Sequence, residues 1–577
     1  MCVVRISDLA FWLASWFDIK FMSVLSGLLW NGGHEALRLR MTRDRLHLSD
    51  NSDNDGPSRD IDRLNSNFVS FWLRMLLMIS VTFVAVPASA AGIDEAINAT
   101  VQPITDKLSA FIFYSVRIGT ADVPLIVCWL IFGAVFFTGY LGFINVRGFK
   151  HAVNIVRGKF ADPLHDGEIS HFQALTAAVS GTVGIGNIAG VAITVSAGGP
   201  GVIFWLIVAG LIGMTTKFVE CTLGVKYRQK NADGSVSGGP MYYLKHGLAK
   251  RGMTGFGKFL GMFYAISIVI GCLGIGNMFQ SNQAYVQLLQ VTGGEAGALA
   301  DKGWLVGLIL AVVVGAIVIG GIKSIARVTV RLVPFMILLY IIGAIIVIAM
   351  NGARVPAAIA SIFVGAFTMK GVTGGVLGIM IIGFQRAAFS NEAGIGSAAI
   401  AHSAVNTNEP LTEGFVSLLE PFLDTVVICT LTGLVLLTAF PTEYLMGGGV
   451  AGIELTSSAF ENSIPWSPVP LSFAAIMFAF STMLAWAYYG TKAWTYIFGQ
   501  SKNKERVFSF IFCIFIVIGA AVKLEAILDF ADALIFVMAI PNLIGLYIMA
   551  PEVKADLKVY WDGKDKAQKN ARENTAA

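Results

Sequence analysis

Charge is scarce in this chain. Only 14% of its 577 residues are Asp, Glu, Lys or Arg, against about a quarter in a typical soluble protein, which excludes an ordinary domain folded in water. Apolar side chains make up 55% and the mean hydropathy is +0.70, so the chain belongs in a bilayer. The net charge of +4 is too small to point to nucleic acid. Cysteine is sparse as well: Cys2, Cys128, Cys221, Cys272, Cys429 and Cys513 lie far apart, mostly inside apolar runs. That spacing suits neither a disulfide framework nor a metal site, and they read as small packing residues. The seven histidines are scattered too. With no clustered set of His, Cys and carboxylate in the sequence, the chain is not expected to be an enzyme.

What is present is a series of long apolar runs. Stretches of about 20 apolar residues can cross a hydrocarbon core of about 30 Å, and they fall near 122-143, 170-197, 201-223, 258-290, 303-322, 332-350, 375-404, 414-440, 469-497, 506-523 and 532-550. Threaded alternately with the N-terminal side outside, these eleven spans leave roughly 23 Lys/Arg on the inner side and about 6 on the outer, the bias of the positive-inside rule. This predicts an exported start and a basic cytoplasmic tail at 551-577. Upstream, RLNSNFVSFWLRMLLMISVTFVAVPASAAG combines basic residues, a short apolar core and Ala88-Ser89-Ala90, the form of a secretory signal and cleavage site. Residues 1-90 are therefore expected to be an extension largely absent from the mature protein; the alternative is an uncleaved helix. An exported segment, a first helix and a basic loop would fill 91-169.

Two runs are interrupted. Residues 180 to 190 read SGTVGIGNIAG, four glycines and an asparagine in an otherwise helical stretch. Glycine costs about 1 kcal/mol per residue in a helix interior relative to alanine. Residues 389 to 402, FSNEAGIGSAAIAH, repeat the pattern five spans later, so the two interruptions would run in opposite senses across the membrane. Paired breaks in two oppositely oriented halves, here 170-350 and 351-550, point to an inverted-repeat transporter with its site near the midplane. An unwound backbone survives in lipid only where its N–H and C=O groups find partners, and a ligand can supply them. A half-helix N-terminus offers amides to a carboxylate, and opposing carbonyls can hold a small cation. GIGNIAG also fits a nucleotide-loop spacing, but no alternating strand and helix pattern surrounds it. A small-residue packing face between helices is the plainer alternative, and GCLGIGNMFQ at 271 to 280 shows that GIGN need not mark a break.

With SGTVGIGNIAG, GGPGVIFWLIVAGLIGM, KFVECTLGVKYR, SGGPMYYL (237 to 244) and FSNEAGIGSAAIAH in view, the chain resembles the alanine/glycine:cation symporters, the sodium:alanine symporter family, from about residue 95 to 555. The segment after GGPG reads FWLI where the family pattern has FWMW. The resemblance implies an all-α polytopic membrane protein of LeuT-type fold: a five-plus-five inverted repeat with one additional N-terminal helix, about 11 helices in all. It further implies sodium as coupling ion, no organic cofactor, alanine or glycine as substrate, and action as a monomer in the cell inner membrane. Proton coupling, another small solute, or an ion channel are the alternatives; a channel filter normally needs several equivalent segments around an axis.

Oxygen ligands suit a hard cation. Such a site is expected from Ser481 and Thr482 in FAFSTMLAW with carbonyls around Ser180 and Val183. Hydroxyls bonding back to the preceding turn would give the same sequence. The amides of Gly184 to Asn187 are expected to take the substrate carboxylate, with Thr182 nearby; Gly186 lies within that stretch, and Asn187 is alternatively a second cation ligand. Gln280 resembles a substrate-contacting position of the family, Trp486 resembles its pocket wall, and Phe384 is a further candidate. Glu392 either carries a proton or a gating role, since a mid-membrane carboxylate is functional by default, or caps the half-helix expected from Gly394. Lys217 and Glu220 are expected to snorkel at the inner boundary. Glu420 and Asp424 share a helix face, lining an exit path or pairing with basic groups.

Overall fold

The first interruption is visible in the backbone of the computed structural model. Ser170 and Gln173 form a reciprocal capping box that starts α1, His171–Thr182, the pairing that satisfies two otherwise free N-terminal amides. The helix stops at Val183, Gly184 is extended (φ −128°, ψ −163°), and a short 3-10 turn, Ile185–Asn187, leads into α2, Ala189–Gly198. The two halves are bent by 60°. The structure describes residues 106 to 576 apart from 120, 160 to 166, 369 to 374, 448 to 451 and 523. The signal-like segment lies outside the described residues.

Long helices surround this break. In chain order they are α3 (Val202–Lys226), α4 (Thr254–Leu273), which passes through a π-helical turn, Gly274–Met278, into α5 (Phe279–Val291), then α6 (Gly303–Val318) and α7 (Gly321–Met350). Among the described residues six helices, or seven with the bent pair, are long and apolar enough to cross a membrane. Each of the eleven expected runs contains helix, but several of these helices are too short or too interrupted to count among those spans, such as the 16-residue α6. An apolar helix that the sequence reading placed in no span, α8 (Val355–Phe367), follows α7. Only 28% of the apolar window of α7 is buried, against 83% for α4 and α5. Phe335, Leu338, Ile342 and Ile346 stand exposed on it, which suits a lipid-facing helix at the edge of the bundle.

The second interruption separates α9, Gly375–Asn391, from α10, Ala398–His402. Glu392 (φ 56°), Gly394 (φ 92°) and Gly396 (φ 89°) all adopt left-handed backbone, tolerated by glycine and costly for the glutamate that precedes them. The chain entering α1 pairs with the chain leaving α10: Ile169 bridges Val405, Glu168 N–H donates to Ala404 O at 2.8 Å, and Asn406 N–H donates to Ile169 O at 2.7 Å. The two broken helices therefore meet at one end of the bundle and run through it in opposite directions. Arg228 locks that end by donating to the carbonyls of Ser403, Val405 and Thr407.

The remaining helices close the core: α11 (Pro410–Ser417), a π-helical stretch, Phe422–Cys429, α12 (Thr430–Ala439), α13 (Ile453–Ser463), α14 (Pro468–Phe498), α15 (Lys502–Ala521) and α16 (Leu524–Ala576). Both breaks and the central stretch of α14, 481 to 490, are almost wholly buried, so the polar groups of the interrupted backbone face protein and not lipid.

Candidate substrate and ion site

Backbone groups freed at the first break are met by a side chain of the break itself and by side chains from four other helices. Gly184 N–H donates to Asn187 Oδ1 (2.9 Å) and Ile185 N–H to Gln280 Oε1 on α5 (3.1 Å). Asn187 O accepts from Thr432 on α12 (2.8 Å), Ile188 O from Thr456 on α13 (3.1 Å), and Gly181 O from the Trp486 indole on α14 (3.3 Å). The expected carboxylate-binding amides are thus already engaged in part, by the side chains of Asn187 and Gln280. The π-helical turn before α5 accounts for Gln280: its Nε2 donates to Ile275 O within that turn (3.1 Å), which aims its carbonyl at the break.

Asn187 does not face the space between the breaks. Its amide donates to Asp424 Oδ1 (2.6 Å), Asp424 O (3.1 Å) and Ser390 Oγ (3.2 Å). Asp424, in the π-helical stretch Phe422–Cys429, also accepts from Ser390 (2.8 Å) and Thr425 (2.7 Å), and Asn391 donates to Thr425 Oγ1 (2.9 Å). This fully buried network joins the first break to the last turn of α9. Asp424 is therefore a buried hydrogen-bond hub between the two breaks, where the sequence had offered an exit path or basic partners.

At the second break Asn391 Oδ1 accepts from Ala393 N–H (3.0 Å), and Asn542 of α16 donates to Gly394 O (2.8 Å) and to Glu220 Oε1 (2.7 Å). Tyr243, from SGGPMYYL, donates to Asn542 Oδ1. A Cβ on Gly396 would come within 2.6 Å of Pro240 from the same motif, so that motif clamps the second break. Glu392 accepts a bond from the Ser397 hydroxyl. The half-helix begins at Ala398, later than Gly394, with Ser397 as its N-cap, so Glu392 reaches the cap residue's side chain.

Between the breaks lies a small cavity lined by Gly181, Thr182, Gly186, Ile275, Gln280, Phe389, Ser390, Glu392, Thr482 and Trp486. Of the expected site residues it brings together Thr182, Gly186, Gln280, Glu392, Thr482 and Trp486. Gly184 adjoins it: a Cβ there would come within 2.5 Å of Thr482 Oγ1 and 3.0 Å of Gln280 Oε1. Ser180, Val183 and Ser481 are buried but do not line it. The hydroxyls of Ser180 and Ser481 bond back to Ala177 O (2.9 Å) and Phe478 O (3.0 Å), which leaves oxygen lone pairs free. Thr482 Oγ1 is buried with no hydrogen-bond partner. Phe384 is not among the lining residues and packs on Trp205 (6.3 Å between rings); Phe389, five residues on, supplies the wall. Phe389 and Ser390, like Gly181 and Ile275, line the cavity without having been candidates from the sequence, and Asp424 ties Asn187 to Ser390 from behind it. The first two stand in the last turn before the SNEAG break, and their position there was the available signal.

A second buried polar group sits where the two broken helices meet. Glu413 of α11 lies 2.5 Å from His171 Nδ1 at the start of α1 and 2.6 Å from His402 Nδ1 at the end of α10. Lys217 pairs with Glu420 at 3.1 Å, both fully buried. Lys217 and Glu220 therefore do not snorkel: neither reaches the surface, because each finds its partner inside. Histidines 231 positions apart come together around one carboxylate, which their scatter along the chain conceals.

Two interrupted helices meeting at a buried polar cavity define a membrane transport protein of the discontinuous-helix class. The chain belongs to the sodium:alanine symporter family, whose model matches residues 107–575. It is 37% identical over 449 residues to the sodium/alanine symporter AgcS of Methanococcus maripaludis, covering 78% of this chain and 96% of that one. It is 33% identical to the amino-acid carrier protein AlsT of Bacillus subtilis, covering 74% and 87%. The crystal structure of MhsT in complex with L-phenylalanine shares its fold, with a TM-score of 0.50 at 15% identity over 67% of this chain and 89% of that one.

Proposed function

We propose that the protein is a secondary active transporter that couples inward sodium movement to uptake of alanine or glycine by alternating access. The observation that carries this reading is the cavity between two oppositely running breaks, with the unpartnered Thr482 hydroxyl beside Gly184. A buried hydroxyl without a partner costs about 1–3 kcal/mol, and a sodium ion held by Thr482, Ser481 and carbonyls of Ser180 and Val183 would remove that cost. The indole of Trp486 and the ring of Phe389 wall the cavity, and two such large groups favour a substrate with a small side chain. Thr182, Gly184, Gly186 and Gln280 contact the substrate; Asn187 acts through Asp424, as a positioning residue.

The chain is read as a five-plus-five inverted repeat behind one extra helix, eleven spans in all. It acts as a monomer in the cell inner membrane with its C-terminus in the cytoplasm, its halves at 170-350 and 351-550, and its signal-like start removed. Glu392 carries a second reading, proton coupling, because this buried acidic residue is among those that line the cavity. Uptake of labelled glycine, alanine, leucine and glutamine into proteoliposomes tests the substrate class. The expected order places glycine and alanine far ahead, and uptake of leucine as fast as alanine would sink it.

A further inference from the structure

The glycines at 274 and 276 recur in a span that the break argument leaves unused, and the structure gives Gly276 a task. Trp486 is fully buried on α14 and lines the cavity. A methyl placed on Gly276 would overlap Trp486 Cβ and Cγ and come within 2.6 Å of its Cδ1. Of these atoms Cβ is fixed by the helix backbone, so no rotamer change relieves its overlap, although Cγ and Cδ1 turn with the side chain. Nor can α14 retreat freely there: one turn on, a methyl on Gly490 would come within 2.6 Å of Cys272 Sγ, one turn before Gly276. The two helices interlock, each offering a glycine to the other's larger side chain. The far edge of the indole is held by Gly181 O at 3.3 Å, and Gly181 lines the same cavity.

We propose that Gly276 is the specificity-determining residue of this cavity: as the seat of Trp486, it sets the largest side chain that the cavity admits. A methyl at 276 is accommodated only if Trp486 and its stretch of α14 shift away from it, and a shift into the cavity that the indole lines narrows that cavity. The narrowing excludes the alanine methyl before it excludes glycine. This inference rests on reading the cavity as an amino-acid site.

The test compares labelled glycine and alanine uptake by proteoliposomes of the natural protein and of Gly276→Ala. The alanine-to-glycine ratio of transport efficiency is expected to fall about tenfold or more, the discrimination one methyl group commands in a tight pocket, while glycine uptake persists. An unchanged ratio overturns the inference and leaves the functional reading standing. A natural protein that carries neither amino acid overturns both. If Gly276→Ala accumulates poorly, Trp486→Gly supplies the second arm, because it removes all three crowded atoms. Gly276→Ala should lower the Tm of the purified protein with Trp486 present and leave it unchanged in the Trp486→Gly background. An equal loss in both backgrounds, or failure to fold in both, refutes the seat.

Discussion

Replacing Thr482 by valine, its closest isostere, should separate the protein's stability from its response to sodium. In the structure the hydroxyl is buried beside Gly184 without a hydrogen-bond partner. Exchanging it for a methyl removes an unsatisfied polar group, so in sodium-free choline chloride the variant should be at least as stable as the natural protein, with a gain of up to about 1–3 kcal/mol. An ordinary buried threonine with a partner would lose stability on the same change. Sodium reverses the ranking. A ligand present at about 100 times its Kd stabilises the state that binds it by about 2.7 kcal/mol, and this increment should shrink or vanish in Thr482→Val. The assay is thermal unfolding in detergent, titrating sodium chloride against choline chloride at constant ionic strength. A full sodium-dependent rise in Tm for Thr482→Val would refute the assignment of this hydroxyl to the ion.

Lys217→Met leaves Glu420 buried without its ammonium partner and should cost about 3–5 kcal/mol; Lys217→Met with Glu420→Gln should recover most of it, and unfolding in denaturant reads both. Asp424→Asn confronts the Asn187 amide and two hydroxyls with an amide in place of a carboxylate, and since bonds to a charged group contribute about 1.5–3 kcal/mol, uptake should fall about tenfold or more in a protein that still elutes as a folded species. Wild-type uptake by this variant would remove Asp424 from the site. Glu392→Gln keeps an acceptor for the Ser397 hydroxyl and should transport at a rate that external pH does not change. Loss of uptake with substrate binding retained would favour proton coupling.

Much of the architecture was legible because its signals are local. Glycine clusters at 184 to 190 and 394 to 396 weaken a helix wherever they occur, and the matching order of their neighbours marked the two halves. Thr482, Trp486 and Gln280, which line the cavity, drew notice for the same reason: each stands in a span where a polar or very large side chain is conspicuous. The direction of the Asn187 side chain could not be read locally, because it depends on the 3-10 turn and on Asp424, 237 residues away. Phe384 and Phe389 both precede the second break, and only the phase of α9 decides which ring meets the cavity. Lys217 looked like a snorkelling residue because its partner Glu420 lies on another helix. The pairing of His171 with His402 through Glu413 is a property of the two helices crossing and leaves no trace in either segment alone.

Sodium coupling is the central claim, and accumulation is its most direct measure. Proteoliposomes loaded with potassium chloride and diluted into sodium chloride should concentrate labelled alanine above the external level, and a sodium ionophore should collapse that overshoot to equilibrium. Equilibration at the same rate and extent with choline outside would contradict the account.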